Sequence, residues 1–430
     1  MILRDPVHGI LVFEREERAI VTRLLETREV QRLRRIRQLG VTSLAFPGAE
    51  HSRFSHALGT AHVMARLLAR LRDLHDELPF WQRVTSDRAE DALAAALLHD
   101  IGHGPLSHLF ESALSAVPHH EAWTSQIVLD DATEVHRILA AGDPGRPARV
   151  ADLVHGKSDL PYLARAVSGT FDVDRCDYLL RDAYSTGVRH GQYDLDWLLR
   201  SLRFGVPRDG AEAPPLAIDG SKGLVAIEEF VLARLFMFQQ VYFHKATRAA
   251  EHMIRVALAL GARAVQDGVA LEAVPPAVRR AARGEIPTLD EYLELDDGVL
   301  WGALHAWEHA PLPALADLCR RIRARALFKT LELHGRHREP VAREAALAIA
   351  RDVATSAGLD PDVYVGLDVA TDTPFDENDD PPVVVFAKGP PRALAEVSFL
   401  LGRLAGERVE KVRLVFAPEL RDAITAAIAP

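Results

Sequence analysis

Apolar residues return every three or four positions from Ile20 to Leu39, from Phe54 to Leu74, from Ala89 to Leu98 and along a stretch from Ile227 to about Ala264. That period puts one apolar stripe on each segment, and such stripes are buried by packing against one another, so these runs read as a helical bundle. Further helices are expected at 121–139, 159–167, 174–184 and 195–202. Strand signals are confined to three places. The opening "ILRDPVHGILVF" sets Pro6 and Gly9 between short apolar runs and reads as a hairpin. "RFGVPRDGAEAPPLAIDGSKGL" reads as a strand pair around a Gly/Pro-rich turn, and from about residue 325 the β-branched runs "VYVGLDVA", "PVVVFAK" and "KVRLVFA", with a helix between the last two, read as a small α+β module. The expected fold is therefore mainly α, with small N-terminal and mid-chain hairpins, a first domain over 1–324 and a C-terminal α+β module over 325–430.

Composition narrows the function. Of 430 residues 48% are hydrophobic and 26% charged, the balance of a folded globular chain. No apolar run approaches the ~20 residues of a membrane span and the N-terminus lacks a signal-peptide pattern, so the expected address is the cytoplasm. Cys176 and Cys319 are the two cysteines, with no CxxC pair, so a metal would be held by nitrogen and oxygen. Lys plus Arg number 51 against 61 Asp plus Glu, a net −10 that argues against general nucleic-acid coating. The run "REVQRLRRIRQ" carries Arg28, Arg32, Arg34, Arg35 and Arg37, read as a mostly solvated helix face with one or two arginines left for an anion. The acidic stretch 372–382 reads as a solvated connector.

Chemistry concentrates in "LLHDIGHGPLSH", residues 97–108. His99 and Asp100 are about 100° apart on a helix and can face one point only near its end; Gly102 is the expected stop, and Asp87 with Glu90 the expected capping box at the start. His56, at the start of an upstream helix, and Asp174, in "FDVDRCDYLLRD", complete a candidate set of two imidazoles and two carboxylates. Such a set suits one divalent ion of Mn, Fe, Zn or Mg character with positions left for water or phosphate oxygen.

The pattern H…HD…D resembles the HD superfamily of metal-dependent phosphohydrolases. "DPVHG", "QRLRRIRQLG", "FPGAEHSRFSHALG", "LLHDIGHGPLSHLFE", "HHEAW", "FDVDRCDYLLRD" and "YFHKATR" follow the order and spacing of its deoxynucleoside triphosphate triphosphohydrolase branch over residues 1 to about 255. The resemblance implies an HD-domain helical bundle in which His56, His99, Asp100 and Asp174 hold the metal, and it implies a second, weaker Mg²⁺ on the substrate phosphates.

The same resemblance makes His103, His108 and His120 phosphate-side groups, with His108 the proton donor to the leaving 5′-oxygen and Glu111 its orienting carboxylate. Arg53, Arg175 and Arg234 would reach the triphosphate. Gln38, Leu39, Tyr178, Asp182 and Tyr242 would surround a deoxyribose, with a tyrosine edge against C2′ and Asp182 accepting from the 3′-hydroxyl. The implied reaction is water attack on the α-phosphorus, giving deoxynucleoside and inorganic triphosphate. A homo-oligomer, dimer or tetramer, with a nucleotide effector near Glu26, Gln31 and Arg34 is also implied, and no membrane partner. Other HD activities stay open (nucleotidase, phosphodiesterase, guanosine tetraphosphate hydrolase), as does a nucleotide sensor with little turnover.

Overall fold

The computed structural model describes residues 1–13, 19–206, 213–376 and 382–428. It opens on an antiparallel hairpin, β1 (Ile2–Asp5) and β2 (Gly9–Val12), with Asp5 opposite Gly9. Asp5 Oδ1 accepts the backbone amides of Val7 and His8, both at 2.9 Å, and closes the turn. Gly9 adopts φ +75°, a conformation that costs glycine little.

Helices follow as α1 (Ala19–Leu25), α2 (Arg28–Arg32), α3 (Arg53–Asp73), α4 (Ser86–Leu98), α5 (His108–Ala113), α6 (His120–Leu129), α7 (Glu134–Ala140), α8 (Arg146–Val154), α9 (Pro161–Val167), α10 (Val173–Thr186), α11 (Leu195–Arg200), α12 (Leu224–Met237) and α13 (Lys245–Gln266). Three long periodic runs are divided by local chemistry. Thr27 caps α2 by accepting the Val30 amide, so the run from Ile20 breaks after Leu25. Thr133 does the same for α7 through the His136 amide at 3.0 Å, dividing 121–139. The stretch 227–264 carries a π-helical turn at Phe238–Tyr242 between α12 and α13, a feature that occurs often at functional sites.

Two expectations at α4 are corrected. Its cap is Thr85, which accepts the Arg88 amide at 3.3 Å, while Glu90 pairs with Arg146 at 2.8 Å, so no Asp87–Glu90 box forms. Gly102 does not act through a left-handed stop, since its φ is not positive. A side chain there would collide with the His120 carbonyl and the Thr124 amide of α6, and close approach is what requires glycine.

The mid-chain strands β3 (Leu202–Phe204) and β4 (Leu216–Asp219) pair antiparallel as expected, their turn at 207–212 lying outside the described residues. The later strands do not share one sheet. In β5 (Lys329–Glu332), β6 (Val365–Asp372) and β8 (Val409–Phe416), β8 is central and pairs along all eight residues with β6. With both edges of β8 filled, β7 (Val383–Val385) instead extends β4 in parallel. Within the acidic stretch, 377–381 lie outside the described residues, but Asp372 is no solvated connector: its side chain is 9% exposed and pairs with Arg234 at 2.6 Å.

Two apolar cores result, one built on α1, α3, α4, α10 and α12, the other on α5, α13, β5, β6 and β8. Within the second core, on α13, lies His252, 7% exposed, with Nδ1 accepting from Arg255 at 3.1 Å and its ring where a side chain on Gly366 would collide. Burial, with Arg255 and Arg248 nearby, lowers its pKa to about 4. The folded state therefore holds the ring neutral while the unfolded chain takes up a proton below about pH 6.5, so stability should fall as pH drops from 6.5 toward 4, by up to about 3 kcal/mol from this residue. Urea midpoints at pH 7.5 and 4.5 should converge in His252→Leu relative to the parent; an unchanged acid sensitivity would count against this assignment.

Candidate active site

Three helices bring the donor set together. His56 lies in the first turn of α3, whose N-cap Ser52 accepts from the Ser55 amide. His99 and Asp100 follow directly after α4 ends at Leu98. Asp174 lies in the first turn of α10, where Asp172 caps by accepting the Arg175 amide at 2.7 Å. His56 Nε2 is 3.0 Å from Asp174 Oδ1, 3.3 Å from His99 Nε2 and 3.8 Å from Asp100 Oδ2. His99 Nε2 is 3.4 Å from Asp174 Oδ1 and 3.5 Å from Asp100 Oδ1.

The separations among His56, His99 and Asp174 fit a cation, while Asp100, expected as a fourth ligand, stands outside that group, 3.8 Å from His56 and paired with Arg53. With bonds of ~2.1 Å, neighbouring ligands lie ~3.0 Å apart in an octahedron and ~3.4 Å apart in a tetrahedron. Both Nε2 atoms face inward because the other ring nitrogens are engaged, His56 Nδ1 with Asp177 Oδ2 at 2.8 Å and His99 Nδ1 with the Ala96 carbonyl at 2.9 Å. The field also favours positive charge: burial opposes protonation of His56, yet hydrogen bonds with Asp174 and Asp177 raise its pKa to about 10. Against burial, the charge of Asp100 and then of Asp174 raises His99, and His99 with His56 lowers Asp174. Burial likewise works against ionisation of Asp100, and Arg53, which grips its carboxylate, holds it well below the usual range.

Behind the donors lies a layer that the sequence reading did not single out. Asp177 Oδ1 meets His8 Nε2 at 2.6 Å, and Arg181 clasps both oxygens of Asp177 at 2.8 and 2.9 Å while reaching Asp5 at 2.8 Å. The hairpin motif "DPVHG" thus props the carboxylate that orients His56. Its only sequence signal was the i, i+4 pair Asp177 and Arg181, three residues beyond Asp174. Arg32, expected on a solvated face, is 1% exposed and donates to the carbonyls of His103 at 2.9 Å and Leu295 at 2.8 Å.

The second histidine group stands beside the first. Leu106 and Ser107 adopt φ +55° and +59°, strained for residues with side chains. The Leu106 amide is held by Asp297 at 2.9 Å and the Ser107 hydroxyl by Arg53 at 2.9 Å, so the turn delivers His108 into the cavity. His103 and His120 stack at 3.8 Å between centroids, and His108 is 5.0 Å from each. Glu111 meets His120 Nδ1 at 3.3 Å rather than His108. Burial and the Arg53 charge hold His103 well below the ordinary imidazole range and lower His108 as well. His103, His108, Glu111 and His120 form a second group of donor atoms within 4.8 Å of one another.

A cavity of about 700 Å³ joins these groups, lined by Arg53, Asp100, His103, His108, His120 and Asp174, and also by Gln38, Leu39, Tyr178, Asp182 and Tyr242. Buried polar atoms without a partner among the described residues gather around it: Gln38 Oε1, Arg53 Nε and His103 Nδ1. Such atoms are costly unless a ligand or water meets them. Tyr242 donates to Asp182 Oδ2 at 2.7 Å. Thr247, Arg248, Glu251 and Arg255 of α13 also line the cavity and were not anticipated. Arg175 and Arg234 line a neighbouring cavity of about 380 Å³ instead. Arg234 donates to the carbonyls of Thr373 and Pro374 and to Asp372, and its guanidinium lies 5.1 Å from the ring centroid of Phe238, which borders the larger cavity. Among the described residues no helix is long and apolar enough to cross a membrane.

The HD domain profile matches residues 53–180, the span that contains every donor of the first group, and that of the HD associated region matches 213–429. The chain belongs to the HD-domain family, and its class is that of HD-domain phosphohydrolases. It is similar over nearly its whole length to the uncharacterised protein YwfO of Bacillus subtilis, 34% identical over 426 residues and covering 97% of this chain and 92% of that one. The crystal structure of a phosphohydrolase from Bacteroides thetaiotaomicron superposes with a TM-score of 0.81 at 28% identity, covering 97% of this chain and 99% of that one. A Dictyostelium discoideum homolog of the deoxynucleoside triphosphate triphosphohydrolase SAMHD1 is 29% identical over 272 residues; the match covers 59% of this chain and 48% of that relative's length.

Proposed function

We propose that the protein hydrolyses deoxynucleoside triphosphates to deoxynucleoside and inorganic triphosphate. The observation that carries this reading is the single cavity that Asp100, Asp174 and the histidines share with Tyr178, Asp182 and Tyr242. The likeness to a relative named as such a hydrolase supports it. His56, His99, Asp100 and Asp174 would hold a divalent cation of Mn, Fe, Zn or Mg character, which supplies positive charge against phosphate oxygens; a second Mg²⁺ would accompany the substrate.

In this reading Arg53 binds the phosphates beside Asp100, and Arg175 and Arg234 approach from the adjoining cavity. Water attacks the α-phosphorus as the bond to O5′ breaks, and the electron pair leaves on O5′. His108 gives that oxygen a proton; the substrate's negative charge offsets the burial and the Arg53 charge that otherwise lower its pKa. The proton that the attacking water gives up returns to His108 by way of solvent and His120, whose ring centroid lies 5.0 Å from that of His108 and whose Nδ1 is held by Glu111. Tyr178 and Tyr242, whose hydroxyls burial keeps protonated, border C2′ and leave no place for a ribose hydroxyl.

The test is product identification across the four dNTPs and four NTPs with defined metals. Triphosphate release from dNTPs supports the reading; monophosphate or pyrophosphate release assigns the site to another HD activity, and saturable binding without turnover to a sensor. The proposal extends to a homo-oligomer with a nucleotide effector near Glu26, Gln31 and Arg34. There Arg34 donates to Gln31 at 2.8 Å and lies over Phe54, 3.6 Å from its centroid.

The Asp372 carboxylate competes with substrate for Arg234. Asp372→Asn should lower KM for dNTPs by about three- to tenfold, in the range of a partly buried ion pair, with kcat little changed. A KM that stays level or rises would remove Arg234 from phosphate binding.

A further inference from the structure

We infer that His51 is a positioning residue for recognition of the sugar 3′-hydroxyl, acting through Asp182. The inference rests on the functional reading above and deepens it.

His51 stands in "FPGAEHSRFSHALG", two residues before Arg53, and does not itself line the cavity. Its side chain is 10% exposed, and its Nε2 lies 2.7 Å from Asp182 Oδ1. On the other side of the same carboxylate, Tyr242 donates to Oδ2 at 2.7 Å. Asp182, 2% exposed at its side chain, thus has each oxygen tied to a donor from a different part of the chain: the segment before α3 and the π-helical turn before α13. Two donors at two oxygens fix both the position and the plane of the carboxylate. Each oxygen accepts more than one hydrogen bond, so Asp182 retains acceptor capacity toward the cavity it lines.

The backbone of His51 points to the same role. Its carbonyl accepts the Gln38 amide at 3.0 Å, and the adjacent Ser52 bridges to Arg37. One residue thereby sets the height of Gln38 on one side of the cavity and the plane of Asp182 on another. His51 Nδ1 is buried with no partner among the described residues. A buried ring nitrogen left bare is a cost that an apolar side chain would not incur. What the imidazole adds in exchange is the bond to Asp182.

A carboxylate held this way discriminates by the presence of one hydroxyl. A site built to bond a hydroxyl rejects the analogue that lacks it, because its own polar group is then left unpaired. If Asp182 is free to rotate, that discrimination weakens while the phosphate chemistry at the donor group, about two turns back along α10 at Asp174, stays in place.

The experiment compares kcat/KM for each dNTP with that for the matching 2′,3′-dideoxynucleotide in the parent, His51→Phe and His51→Gln, with unfolding temperatures measured alongside. Phenylalanine keeps the ring and removes the donor, whereas the glutamine amide can still donate to Asp182. The parent should prefer dNTPs. That preference should shrink by about tenfold in His51→Phe, chiefly through KM for the dNTP, and return in part in His51→Gln. His51→Asn, too short to span to Asp182, gives the same reading if the phenylalanine variant does not fold. A folded variant that keeps the parental preference, or that loses kcat equally on both substrates, overturns the inference. So does a parent without preference. If the parent releases no triphosphate from any dNTP, the enzymatic reading has failed separately. Calorimetric binding of deoxyadenosine against 2′,3′-dideoxyadenosine to the parent and His51→Phe then decides the role of His51 alone, by the same loss or persistence of preference.

Discussion

Asp174→Ala is expected to lower kcat/KM for phosphoester hydrolysis by about 10³-fold or more, equivalent to at least about 4 kcal/mol of transition-state stabilisation, and to leave the purified protein depleted of divalent metal. Asp174 Oδ1 is the one oxygen that lies within 3.0 Å of His56 Nε2 and 3.4 Å of His99 Nε2. Without it the remaining donors would enclose a site with one negative charge instead of two, and that charge, Asp100, is already gripped by Arg53. The mutation should spare the fold, since Asp174 lies at the edge of the cavity with its side chain 31% exposed. Elemental analysis of the parent and variant, with turnover measured across added metals, provides the check. A variant that retains both bound metal and rate would dismantle the proposed centre.

Arg181→Met should be the most destabilising single change around the site, by about 3–5 kcal/mol. The guanidinium is 1% exposed and neutralises two carboxylates, Asp177 and Asp5, that are themselves 0% and 6% exposed at their side chains. Burial opposes the charge on Asp177, and Arg181 is the chief counterweight that keeps it well below the usual carboxylate range. Methionine fills much of the volume but leaves Asp5 without its buried counter-charge and Asp177 with only the imidazoles of His8 and His56. Because Asp177 also orients His56, metal affinity should fall by about 10–100-fold in the variant that still folds, as removal of such supporting partners typically does. Denaturant midpoints and metal titration read the two effects separately. A midpoint equal to that of the parent would show that Asp5 and Asp177 need no buried cation.

Much of this site is legible without coordinates because its defining residues are local. His99 and Asp100 are adjacent, Gly102 and His103 follow within four residues, and the helical period places them at the end of a run. The supporting layer was not legible for the opposite reason. His8 and Asp177 are 169 positions apart, and nothing in "DPVHG" says that its histidine meets a helix near the middle of the chain. Arg32 was misread because arginine is usually exposed; only the packing of α2 against the turn carrying His103 makes it a buried clamp. Glu111 is expected to orient His108, three residues before it, whereas α6 brings His120 within reach of its carboxylate instead.

The sequence by itself determined the helical class and the small hairpins and brought forward the candidate oxygen and nitrogen donors, because each of these depends on residue type and near-neighbour spacing. Tertiary structure alone decided which residues share a cavity: that Arg175 and Arg234 open onto a neighbouring pocket, that Asp372 engages one of them, that β7 leaves its apparent module for the free edge of β4, and that His51 reaches Asp182. Those outcomes depend on which edges and charges are still unpaired once the helices have packed. Competition of that kind is settled among groups far apart in the chain, where spacing along the sequence carries no information.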